Sequence, residues 1–272
     1  MAKKIAFLAL LGVLVGGIST WAAADTQDGT GALPSVDKIW QGLYLGADAS
    51  YGAGNSELNA YSGDGSNGNY FNGITGRTAA VDSLGAEHAK AGDVAAGLDG
   101  GYDYQYKRLV VGLEADLSSL ALDESTGDFS VLASHYYPQF FQSLHTDWTA
   151  SLRPHVGLAW GAFLVDVNAG VSMVHANESA TFTDSEPFAM GSATSSRYLF
   201  APIFGLDVRY HVSRHWVCKV GASIVQYGLD HLGNSPIGYA PGQAPNTGSD
   251  SVFGRSFNLT VETLNLGLDY QF

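Results

Sequence analysis

The stretch "AGLDGGYDYQYKRLVVGLEADLSS" (residues 96–119) decides the fold. Ala96, Leu98, Tyr102, Tyr104 and Tyr106 alternate with Gly97, Asp99, Gly101, Asp103 and Gln105. After Lys107-Arg108 the period resumes, with Leu109, Val111, Leu113, Ala115 and Leu117 against Gly112, Glu114, Asp116 and Ser118. A period of two residues sends alternate side chains to opposite faces of a strand. Two such runs joined by two residues predict an antiparallel hairpin. Its polarity is unusual. The polar face of a soluble sheet carries mostly Lys and Glu. Here it carries Gly, Asp and Glu, which suits a confined, hydrogen-bonded interior and leaves the apolar face outermost.

Six further runs show the same period. Residues 42–52 set Leu43, Leu45, Ala47, Ala49 and Tyr51 against Tyr44, Gly46, Asp48 and Ser50. Residues 144–156 set Leu144, Trp148, Ala150, Leu152 and Val156 against His145, Asp147, Thr149, Ser151, Arg153 and His155. The others are 163–173, 198–211, 216–224 and the terminal "LNLGLDYQF" (264–272). Each is long enough for the ~9–11 residues that a tilted membrane-crossing strand needs. Turns of a few residues alternate with connections of about 40, 20, 20 and 30 residues, so all the long loops fall at one end. In lipid a sheet must close on itself to pair every backbone group. The prediction is an all-β fold: an eight-stranded antiparallel up-and-down transmembrane β-barrel over residues 40–272. Side chains just fill the interior of a barrel with eight strands.

The aromatics follow this reading. Trp40, Tyr104, Tyr106, Trp160, Tyr210, Trp216, Tyr270 and Phe272 fall at the short-turn end, as a girdle at the lipid–water boundary. Tyr51, Trp148, Tyr198 and Tyr227 fall toward the other rim. Upstream, Lys3 and Lys4 precede an apolar core from Ile5 to Ile18, and Ala22 and Ala24 form an A-x-A cleavage site before Asp25. Residues 1–24 therefore read as a secretory signal peptide, and 25–39 as a flexible periplasmic lead. Without the leader's two lysines the chain keeps 11 of its 13 bases against 26 acids. That balance argues against a nucleic-acid partner. The single cysteine, Cys218, excludes an internal disulfide.

These residues resemble the small bacterial outer-membrane β-barrel proteins of the opacity-protein and OmpA-like type, in the branch of outer-membrane immunogenic proteins and small porins. The resemblance spans Trp40 to Phe272. It rests on "WQGLYLGADASYG" as a W-x-G-x-Y-x-G opening strand, on the 96–119 hairpin, and on "WTASLRPHVGLAWGAFLVDVNAGVS" (148–172). It implies residence in the bacterial outer membrane, contact with outer-membrane lipid, no cofactor, and a structural or surface role. It also implies that the barrel-assembly machinery reads the terminal strand through Leu266, Gly267, Leu268, Tyr270 and Phe272. Pro154 and Pro202 depart from the pattern, and a proline removes a ladder donor, so a bulge is expected at each. The long loops match no motif, and their partners are not specified.

The inner faces bring Glu114, Asp116, Asp147, Arg153, His155, Asp166, Arg209 and Lys219 together as a charge network, because buried charges must pair or hydrogen-bond. Two roles stay open for it: a structural plug, or a narrow polar path. Since acids outnumber bases, such a path would make the protein a small passive pore with a weak preference for cations. The histidines lack metal-ligand spacing. Ser143, His145 and Asp147 gather near the outer rim as a lipid hydrolase or protease would require. Spacing of that kind is common, and no catalytic residue is expected.

Overall fold

The computed structural model describes residues 38–62, 82, 86–119, 121–129, 138–184, 189–228, 234–236, 238–239 and 252–272. The predicted signal peptide (1–24) and residues 25–37 of the predicted lead lie outside the described residues. The strands are β1 (Gly42–Ser62), β2 (Ala86–Tyr106), β3 (Leu109–Ser118), β4 (Asp123–Phe129), β5 (Pro138–Trp160), β6 (Phe163–Asp184), β7 (Ala189–His211), β8 (Trp216–Gly228), β9 (Asn234–Pro236), β10 (Gly238–Tyr239) and β11 (Val252–Gln271). Eight of them form an antiparallel ring in the order β1-β2-β3-β5-β6-β7-β8-β11. The ring closes where Tyr44 pairs with Gln271 and Ala49 with Leu266. The short β4 pairs with β5 above β3, so the two act as one interrupted strand. The terminal stretch 264–272 is thus the seam of the barrel, paired on its other side with β8.

The strands outrun the alternating segments that the sequence marks. β1 continues ten residues beyond Gly52, and β5 begins six residues before Leu144. In these extensions the outward positions are mostly polar: Asn177, Ser179, Thr181 and Thr183 follow Val167, Val171 and Met173 along β6. Only the lower part of each strand meets lipid, so only there does the period have to be apolar against polar. The apolar skin runs from Tyr106, Trp160, Tyr210 and Trp216 at the turn end to Tyr51, Val94, Leu117, Tyr198 and Ile224 above. Ten residues of strand rise about 33 Å, or roughly 25 Å at the usual barrel tilt, the height of an outer-membrane apolar band.

The turns at the lower end are tight. Lys107 and Gly161 each adopt a left-handed backbone (φ 57° and 59°) that reverses the chain within two residues. Gly161 takes this conformation without a Cβ penalty.

Neither proline makes a bulge. The register at Leu152↔Val171 and His155↔Asn168 is continuous around Pro154, and Pro202 pairs opposite Val171 without a shift. Pro202 instead stands where the pairing of β7 with β8 ends, since that ladder begins at Ile203. The bulge lies elsewhere: pairing steps from Thr146↔Ala176 to Thr149↔Val174. One extra residue flips the faces of everything above it. Leu144 therefore turns into the lumen, where it is buried, while His145 and Asp147 turn outward.

The core is the lumen, in three layers. At the turn end Trp40, Val110, Ala159, Leu164 and Val217 form an apolar floor. Trp40 is 1% exposed, so it is not part of the girdle. Its indole N–H donates to the Gly161 carbonyl at 3.2 Å and its backbone N–H to Gln105 Oε1 at 3.0 Å, which draws it under the barrel. The other seven predicted girdle residues lie on the outer face, Tyr270 half-buried against Trp216 and Phe272. Above the floor lies a charged layer. Above that, Leu122, Leu144, Val174, Ile203, Tyr227 and Leu259 belong to a second apolar layer. Tyr227 is buried here and bonds Ser172 at 2.7 Å, so it is not a rim aromatic.

Candidate functional site

Glu114 is the centre of the charged layer. It lies directly across the strand pair from Arg153, the spacing at which opposite charges meet. Arg153 Nη2 donates to Glu114 Oε1 at 2.6 Å. The second oxygen, Oε2, accepts from Lys219 Nζ at 3.1 Å, Arg209 Nη2 at 3.4 Å and the Tyr44 hydroxyl at 2.9 Å. Lys219 and Arg209 are neighbours on β8 and β7, so their like charges need acids on both sides. Lys219 also reaches Asp99 at 2.7 Å, and Arg209 reaches Asp103 at 3.2 Å and Asp166 at 3.2 Å. His155 bonds Asp103 at 2.6 Å, and Asn168 donates to Asp207 at 2.6 Å. The Arg209 guanidinium also covers the Tyr44 ring, 5.2 Å from its centre.

Glycines make this density possible by lacking volume. A Cβ on Gly112 would collide with His155 Nε2, and one on Gly221 with Asp207 Oδ1. Charged ends from six strands therefore interlock across the lumen.

Of the eight residues predicted for the network, Glu114, Arg153, His155, Asp166, Arg209 and Lys219 meet in it. Asp116 is half-buried just above and lines a cavity of about 60 Å³ with Asp48, Ser50, Ser118, Ser151 and Arg153. Asp147 is not in the lumen, because the bulge places it outside. The prediction omitted Tyr44, Asp99, Asp103, Asp207 and Asp269. Each of these sits at an inward position of its own alternating run, so the same period could have included it.

A second polar cluster stands on the outer face, just above the apolar skin. Asp147 is its hub: Oδ1 bonds His145 Nε2 at 2.9 Å, and Oδ2 bonds His175 Nδ1 at 2.5 Å and accepts from Asn177 Nδ2 at 2.9 Å. His175 Nε2 bonds Ser196 Oγ at 3.0 Å, and His145 Nδ1 bonds Asp123. Ser143, which the sequence placed beside His145, bonds Ser179 at 2.8 Å. His175 and Ser196 were missed because they belong to different strands and share no local motif with Asp147. Only the register brings them together.

The bond to the Asp123 carboxylate, then that to Asp147, holds the His145 pKa above its ordinary 6.5. A raised value in the folded chain means that this contribution to stability is present below pH 6.5. It is lost as pH rises through the folded-state value. NMR titration of His145 should give a midpoint above 6.5 that falls in Asp123→Asn. An unchanged midpoint in that variant would count against the contact.

No protein-family model and no curated protein matches the chain. Solved structures do. The outer membrane protein OprG from Pseudomonas aeruginosa is 14% identical, with a TM-score of 0.46, covering 85% of this chain and 96% of its own. The outer membrane protease OmpT from Escherichia coli is 10% identical, with a TM-score of 0.43, covering 84% and 97%. Neisserial surface protein A is 13% identical, with a TM-score of 0.31, covering 85% and 97%. At these identities the likeness reaches no residue's role. The closed ring, the apolar skin and the charged interior make the chain a membrane-crossing β-barrel of the outer-membrane type.

Proposed function

We propose that the barrel serves as a closed structural and surface element of the bacterial cell envelope. The observation that carries this reading is Glu114 shared by Arg153, Arg209 and Lys219, all 1–6% exposed, at the centre of the lumen. A solute path would need this layer to be wet, whereas every cation in it is engaged by carboxylates from other strands. The strand extensions above the lipid belt then present a tall polar wall to the outside. The terminal strand, paired to both β1 and β8 and ending on the exposed Phe272, suits the assembly-machinery contact that the family resemblance implies.

The surface role is tested by membrane-impermeant maleimide on intact cells. Thr181→Cys, on the outer face of the β6 extension, is expected to label in a Cys218→Ser background, while Leu98→Cys in the lipid belt stays unlabelled. Protection of Thr181→Cys until the cells are lysed would reject this orientation.

A further inference from the structure

We propose that Ser196, His175 and Asp147 form a serine hydrolase site on the outer wall of the barrel, acting on the acyl esters of membrane lipid. This activity goes beyond the structural role above. The three residues come from adjacent strands at one height: Asp147 from β5, His175 from β6 and Ser196 from β7. Ser196 Oγ lies 3.0 Å from His175 Nε2, and His175 Nδ1 lies 2.5 Å from Asp147 Oδ2. A nucleophile, a base within hydrogen-bond reach and a carboxylate orienting that base are the roles that define such a site. With the Nδ1 proton held by Asp147, Nε2 is left to accept the serine proton.

The bulge at Thr146–Thr149 is what makes the arrangement. Without the extra residue Asp147 would face the lumen, and His175 would lack its partner. Asp147 is further fixed by His145 at 2.9 Å and Asn177 at 2.9 Å. Asn177 stands directly across from Ser196 in the register. Its amide nitrogen carries two N–H groups, and one is free of Asp147 to donate to an oxyanion forming beside Ser196.

Location selects the substrate class. Ser196 is exposed, and below it on the same face Tyr198, Phe200 and Phe204 begin the lipid belt. An acyl chain lying on that belt would end with its ester at the height of Ser196. Ser196 Oγ attacks the ester carbonyl carbon, and its proton passes to His175 Nε2. Collapse of the adduct breaks the bond to the alcohol, which leaves with that proton. Water then gives its proton to His175 and its hydroxyl to the acyl carbon. The fatty acid departs, and the proton returns to Ser196.

The full-length barrel, purified in detergent and also reconstituted in phosphatidylcholine vesicles, is treated with a fluorophosphonate probe. Wild type is expected to label covalently. His175→Ala should lose about 10²–10⁴-fold in labelling rate, and Ser196→Ala should not label at all. Ser143→Ala, altered at an outer-face serine outside the triad, should label like wild type. Asp147→Asn, at a positioning residue, should lower kcat for a micellar p-nitrophenyl ester while leaving KM unchanged. Heat-dependent gel migration confirms that each variant is a folded barrel. Absence of labelling in folded wild type, or labelling that survives Ser196→Ala, overturns the proposal. Cleavage of a water-soluble acetate but not of micellar or vesicle esters overturns its lipid assignment.

Discussion

Glu114→Ala is expected to lower the stability of the folded barrel by about 3–5 kcal/mol, the cost of breaking a buried ion pair by removing one partner. Arg153, Arg209 and Lys219 all lean on this one carboxylate. Arg153 has no other ion pair among the described residues. Arg209 and Lys219 keep Asp103, Asp166 and Asp99, yet stand side by side with less charge between them. Truncation also strips the Tyr44 hydroxyl of its acceptor. Urea unfolding in lipid vesicles measures the change, and a loss under 1 kcal/mol would show that the layer is well hydrated. Where the variant inserts, any leak should favour cations, because lumen carboxylates outnumber Arg153, Arg209 and Lys219.

Leu98→Arg is expected to cost about 2–4 kcal/mol for a cation placed on the lipid face near mid-membrane. Leu98 is 61% exposed, between Ala47 and Leu117 on the neighbouring strands. On a water-soluble barrel the same change would be close to neutral, as surface substitutions usually are. The size of the cost of this one substitution therefore tells lipid from water on the outer face. Insertion and urea stability equal to wild type would refute the membrane reading.

Much of the barrel was legible because lipid and lumen impose opposite demands on alternate residues. Wherever both apply, as from Leu109 to Ser118, the sequence carries the period and the faces follow. Above the belt both faces can be polar, and the extensions of β1, β5, β6 and β7 left no such signal. Trp40 was placed in the girdle because it falls at the short-turn end, whereas two hydrogen bonds draw it inward. Asp147 was misplaced because a bulge is a property of two paired strands. The period within residues 144–156 cannot show that its partner is one residue short. The outer-face cluster escaped for the same reason: Asp147, His175 and Ser196 meet through register alone.

Single-channel recording on the reconstituted wild-type barrel tests the central claim, that the lumen is closed by its own charges. No sustained conductance should appear from wild type, whose charged layer is held between an apolar floor and a second apolar layer. Steady, ohmic open-channel currents from wild type would contradict the closed lumen.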